Sequence, residues 1–172
     1  MSDGRYHQLG APGVWYASDQ EQAAWSELMR HFLDDGVDPF EVRRRVGRVS
    51  ITALAVLDLT DLAVRAALDL TKADLTGDDY TATQQTAAAA AAAGFDGILA
   101  PSAALPGRRT LVVFASAAAS IREEFSTVRQ PPPRLADLLR LIRPHPDTPH
   151  GVRDYLARTA ALGSAVIRAR HR

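Results

Sequence analysis

The spacing of apolar and polar residues divides the chain into short strands and helices. Val14, Trp15 and Tyr16 form a brief apolar run between turn signals at Gly13 and Ser18, which predicts a strand. Ser18-Asp-Gln-Glu21 then reads as a capping box, with Ser18 as N-cap of a helix reaching about Leu33. At 100° per residue, Ala23, Ala24, Trp25, Leu28, Met29 and Phe32 face inward, and Gln22, Ser26 and Arg30 face water. Glu27 falls between Ala23 and Ala24, on the edge of the inward stripe. A turn-rich loop follows from Asp34 to Pro39.

Over Val46–Ala53, Val49 and Ile51 alternate with Arg48, Ser50 and Thr52, the pattern of a half-buried strand. Ala55–Leu59 predicts another strand, and Thr60-Asp61 caps a short helix through Leu68. Thr71 and Asp74 form a further capping pattern. The loop from Thr76 to Asp79 opens a helix with acids at its positive end. That helix carries Tyr80, Gln84 and an alanine run from Ala87 to Ala93, stopped by Gly94. Phe95–Ala100 is a strand that Pro101 ends, leaving Ser102 at its tip. Arg109–Phe114 is apolar enough to be central in a sheet. Gln130–Pro133 is a stiff linker, and beyond it Arg134–Arg143 and Val152–Arg170 are amphipathic. The expected fold class is α+β: a mixed β-sheet with flanking helices over residues 1–130, plus a basic helical extension over 131–172.

Composition narrows this picture. Of 172 residues 47% are hydrophobic but only 6% aromatic, so aliphatics and alanine fill the core. There is no cysteine, hence no disulfide or thiolate metal site. No apolar run approaches the roughly 20 residues that span a bilayer, and no basic-then-apolar leader opens the chain, which points to the cytoplasm. The formal charge is zero, but residues 134–172 hold eight arginines against three aspartates, a net of +5, leaving −5 on residues 1–133. Arg43, Arg44 and Arg45 form the densest basic run. Without interleaved aromatics it reads as a solvated face and argues against nucleic acid.

The candidate chemistry lies near the start. Arg5, Tyr16 and Glu27 recur at intervals of eleven and combine a phosphate-binding cation, an aromatic face and an acid. Each also has an ordinary reading: a surface arginine, a core tyrosine, a boundary glutamate. His7 shares the Arg5 segment, and His31 lies one turn after Glu27, within hydrogen-bonding reach of it or simply at the surface. Ser102 lacks a Gly-x-Ser-x-Gly elbow, so a hydrogen-bonding role suits it better than that of a nucleophile. No two of the five histidines have helical metal spacing, and no metal is expected.

Gly4-Arg5-Tyr6-His7, Val14-Trp15-Tyr16-Ala17-Ser18 and Ala23-Ala24-Trp25-Ser26-Glu27 together resemble the opening of the RES domain. Val56–Asp61, Thr76–Gln84 and Gly94–Ala103 are similar to its later motifs, in the same order, so that the likeness covers about residues 4–116. The resemblance implies an ADP-ribosyltransferase-like fold and a bacterial toxin that consumes NAD and is paired with an antitoxin. It gives Arg5 the cofactor's phosphates, Tyr16 the nicotinamide side, and Glu27 the ribose and the charge that develops there. Arg5, Tyr16, His7, Gln84 and Ser102 would line the NAD site. The acceptor of the ADP-ribosyl group is phosphate, water or protein. The expected partner is a helix-turn-helix antitoxin; homo-oligomerisation is compatible with the sequence. Family members usually carry sequence upstream of this arginine, so the resemblance also implies a shortened start. The alternative reading is therefore an impaired RES protein that acts only by binding its partner.

Overall fold

The computed structural model describes residues 3–34, 43–52 and 54–129. The loop expected after Asp34 and everything from residue 130, including the linker and basic extension, lie outside the described residues, as do the side chains of residues 32–34. Four strands form a mixed sheet: β1 (Val14–Ser18), β3 (Val56–Asp58), β4 (Gly97–Pro101) and β5 (Arg109–Phe114). Their order is β1-β5-β4-β3. β5 runs antiparallel to both neighbours, while β3 and β4 are parallel. The two interior strands are the most apolar, as their sequences require: Ile98, Val112 and Val113 are fully buried.

Helix α1 (Glu21–Asp34) follows β1, and α2 (Leu62–Ala67), α3 (Lys72–Thr76) and α4 (Thr81–Ala92) fill the β3-to-β4 crossover. The caps of α2 and α3 are those expected. Asp61 accepts from the Ala63 amide, and Thr71 and Asp74 form a reciprocal capping box. At the start of α4 the Thr81 amide donates to Asp79, which holds that carboxyl below the usual range. Ala87 and Ala90 turn inward, and their small side chains let α4 lie close to β4. Gly94 ends the helix at a φ of +86°, a left-handed backbone that only glycine adopts freely. Leu59, Leu75, Ile98, Ala100, Val112 and Phe114 close the core with these alanines, and Tyr6 joins them from the N-terminal turn.

The structure corrects the reading of α1 in two places. Ser18 is not its N-cap but the last residue of β1, paired with Thr110. The helix instead starts from Gln20, whose carbonyl accepts from the Ala23 and Ala24 amides. Ser26 and Arg30 are buried rather than wet, and Ala24 is exposed. Polarity misleads here because both groups find partners inside the fold. The Ser26 hydroxyl donates to the Gln22 carbonyl at 2.8 Å, and Arg30 pairs with Asp78.

A second, two-stranded sheet joins β2 (Arg44–Ile51) to β6 (Ile121–Arg129), which follows a 3-10 helix at Ala115–Ser120. β2 starts two residues earlier than its alternation predicts. The sequence pattern did not reveal β6, because Arg48 opposes Phe125 while Val49 opposes Glu123. Glu124 is thus an extra residue, and the bulge breaks the period of two.

Candidate functional site

Residues 4–7 form a tight turn closed on itself. The Gly4 amide donates to the His7 carbonyl at 3.0 Å, and the His7 amide to the Gly4 carbonyl at 3.3 Å. Helix α4 clamps this turn from beneath. The Thr83 hydroxyl donates to the Arg5 carbonyl at 2.6 Å, and the Gln84 side-chain amide donates to the carbonyls of Gly4 (3.0 Å) and His7 (3.4 Å). Gln84 therefore reaches the site through the backbone of the turn that carries Arg5. The Arg5 side chain is held in turn by the loop between α3 and α4. One terminal nitrogen donates to the Gly77 carbonyl at 2.6 Å, and the guanidinium carbon lies 4.6 Å from the centre of the Tyr80 ring. The guanidinium is oriented while keeping further donors for a ligand.

Tyr16 stands on β1 across from this turn. Its hydroxyl accepts from the Tyr6 amide at 3.3 Å, and its ring centre is 6.4 Å from that of His7. The packing explains Gly4: a methyl group there would sit 2.3 Å from the His7 ring and 3.2 Å from the Tyr16 hydroxyl. Tyr16 remains 41% exposed, a partly open aromatic face. Burial of its hydroxyl pushes the pKa up, against the Tyr6 amide and the Arg5 charge, which lower it. Tyr6 is almost wholly buried, and among the described residues its hydroxyl finds no hydrogen-bond partner. Burial drives its pKa far above the ordinary tyrosine value, opposed by the Arg5 charge.

Glu27 approaches from α1. Its Oε1 accepts from the Ser102 hydroxyl at 2.9 Å and from the Ala104 amide at 3.3 Å. The Ser102 hydroxyl also accepts from the Leu105 amide at 3.1 Å. Ser102 thus donates to an acid and braces the loop after β4. His31 is exposed, and Glu27 bonds to the Ser102 loop instead. The Arg5 turn meets Tyr16 through the Tyr6 amide, and the Glu27 carboxylate is fixed on the Ser102 loop.

Cation, aromatic face and oriented carboxylate together suit an anionic ligand with an aromatic part. Among the described residues no three His, Asp or Glu side chains converge as a metal set. Sequence reasoning missed Tyr6, Tyr80 and the Ala104 amide as parts of the site. Tyr80 was legible as the aromatic opening α4, but nothing in the sequence pairs it with Arg5. A backbone amide such as that of Ala104 leaves no trace in residue type.

Known proteins resemble this chain in sequence and in fold. The RES domain family model matches residues 1–133. The "Probable NAD(+) phosphorylase" of Mycobacterium tuberculosis (strain ATCC 25618 / H37Rv) is 61% identical over 169 residues, 98% of this chain and 81% of that protein. Among solved structures, a chain of the M. tuberculosis MbcT–MbcA toxin–antitoxin complex superposes with a TM-score of 0.67 at 28% identity, covering 80% of this chain and 75% of its own. The α+β architecture with its mixed sheet matches that structure.

Proposed function

The chain belongs to the RES domain family, and from that premise we infer that it is an NAD-cleaving toxin, an NAD(+) phosphorylase held in check by a cognate antitoxin. The observation that carries this reading is the braced Arg5 turn set against the open ring of Tyr16, with the Glu27 carboxylate oriented by Ser102 and the Ala104 amide. The 61% identity to a probable NAD(+) phosphorylase supports the reaction, and the likeness to a toxin–antitoxin complex supports the partner.

In this mechanism the donors of Arg5 left over from Gly77 take the pyrophosphate of NAD. The open face of Tyr16 packs on the nicotinamide. Glu27 presents its second oxygen to the nicotinamide ribose, while Ser102 and the Ala104 amide fix the first. The bond between the ribose anomeric carbon and the nicotinamide nitrogen breaks, and its electron pair neutralises the ring. Nicotinamide leaves without a proton. The positive charge then grows on the ribose, where the Glu27 carboxylate stabilises it. An oxygen of inorganic phosphate bonds to the anomeric carbon, giving ADP-ribose 1″-phosphate, and any proton it carries passes to solvent. His7, Gln84 and Ser102 support the site from its rim, its frame and its acid.

The test is NAD turnover by purified protein with and without inorganic phosphate. Phosphate-dependent release of nicotinamide and the sugar phosphate is expected; phosphate-independent release of free ADP-ribose would make the enzyme a hydrolase. In cells, induced expression without a partner should deplete NAD and stop growth. Normal NAD with folded protein present would sink the catalytic reading. We further expect the antitoxin to be a small helix-turn-helix protein, with the toxin acting in the cytoplasm. Co-expression with the cognate antitoxin should restore growth.

A further inference from the structure

The partly buried pair of Arg30 and Asp78 takes no part in the mechanism above, yet it links the two halves of the site. Arg30 lies on α1, three residues beyond Glu27, and its side chain is 8% exposed. Asp78 lies in the loop between α3 and α4, with 23% of its side chain exposed. The residues beside Asp78 hold Arg5: the Gly77 carbonyl accepts from its guanidinium, and Tyr80 lies against it. Asp79, between them, fixes the start of α4 through the Thr81 amide. Helix α4 supplies Thr83 and Gln84, which grip the backbone around Arg5. One loop of four residues therefore sets where the cation points, and one ion pair ties that loop to the helix of the acid.

We propose that Arg30 is a positioning residue: through Asp78 it sets the separation and alignment of Glu27 and Arg5. A partly buried ion pair adds little to net stability, because desolvation of its charges offsets much of their attraction. It is costly only when one partner is left alone. A guanidinium has a directional fork and resists deprotonation, so it fixes a geometry that an apolar contact would leave loose. The inference rests on the NAD reading for its kinetic consequences and on contacts alone for its structural ones.

The test is a double-mutant cycle between Arg30 and Arg5, with NAD kinetics and thermal stability measured on the same preparations. Arg30→Met should raise KM for NAD roughly tenfold, with a smaller fall in kcat, counted per folded molecule. With Arg5→Ala already present, Arg30→Met should change KM by less than about twofold, because the group it positions is gone. Arg30→Lys, which keeps the charge, should recover part of the loss. Equal effects with and without Arg5, or unchanged kinetics in folded Arg30→Met, would overturn the proposal. If Arg30→Met does not fold, Arg30→Lys replaces it in the cycle under the same criteria. Absence of NAD turnover in the unmodified protein would reject the functional reading instead. Amide hydrogen exchange then decides this one: Arg30→Lys should speed exchange over residues 77–81 and leave β4 and β5 unchanged. An unaltered 77–81 segment would refute it.

Discussion

The strands of the four-stranded sheet are three to six residues long and those of the β2–β6 ribbon eight and nine, yet it is the shorter strands that are covered. In the sheet, Ile98, Val112 and Val113 are sealed under α4 and its neighbours, and the functional turn, strand and helix are anchored to that layer. In the ribbon no described side chain is fully buried, and Phe125 and Val128 are 49% and 59% exposed. Arg48 lies 5.8 Å from the centre of the Phe125 ring, and the Arg45 guanidinium donates to the Ser126 hydroxyl, both contacts made within the ribbon. A two-stranded pairing has little stability of its own. The difference shows that backbone pairing does not make a site. A covered layer does, because it fixes groups such as Glu27 against loops that cannot drift.

Four measurements sharpen or break that contrast. The largest effect belongs to the covered layer: Ile98→Ala should cost about 2–5 kcal/mol in chemical unfolding, the usual range for an aliphatic core truncation. Next comes the group the layer positions. Glu27→Gln keeps shape and hydrogen bonding but removes the charge, so turnover should fall by about 10²–10³, with NAD affinity and melting temperature nearly unchanged. Lower stability with unaltered turnover per folded molecule would mark Glu27 as structural.

The third effect concerns Tyr6, whose buried hydroxyl has a raised pKa. Below about pH 10 both folded and unfolded chains keep this proton, and stability does not depend on it. Above that pH the unfolded chain loses the proton first, so stability falls as pH rises. Tyr6→Phe should flatten this alkaline decline in melting temperature, while Tyr16, also raised, leaves part of it. At neutral pH the same change should be neutral or stabilising, since it removes an unpartnered buried hydroxyl. An unchanged alkaline slope would contradict the assigned burial. The smallest effect belongs to the ribbon: Phe125→Ala should stay within about 0.5 kcal/mol. A loss near that of Ile98→Ala would show that the ribbon is as firmly packed as the sheet.

Much of the sheet was legible because its signals are local. Gly94 had to stop α4, Asp61 and Thr71 had to cap, and the run from Arg109 to Phe114 had to be covered. β6 was not legible, since one bulge at Glu124 destroys the alternation that marks a strand. For the site, residue types and motif order indicated Arg5, Tyr16 and Glu27; the fold sets the Arg5 turn against Tyr16 and Glu27 against Ser102. Their supports were hidden because they depend on distance in space: the Gly77 carbonyl, the Tyr80 ring, the Ala104 amide. Arg30 was misread for the same reason. Its polarity was visible, whereas Asp78, 48 residues away, was not.

The turn at residues 4–7 separates shape from chemistry. Its shape is written largely in main-chain carbonyls, which Thr83 and Gln84 grip from another helix. None of those bonds uses the Arg5 side chain. Position 5 can therefore change its side chain without reshaping the turn, and a relative could carry a different recognition group on the same frame. The constraint passes to Thr83 and Gln84, which touch no substrate in the proposed mechanism yet hold the platform on which substrate choice can diversify.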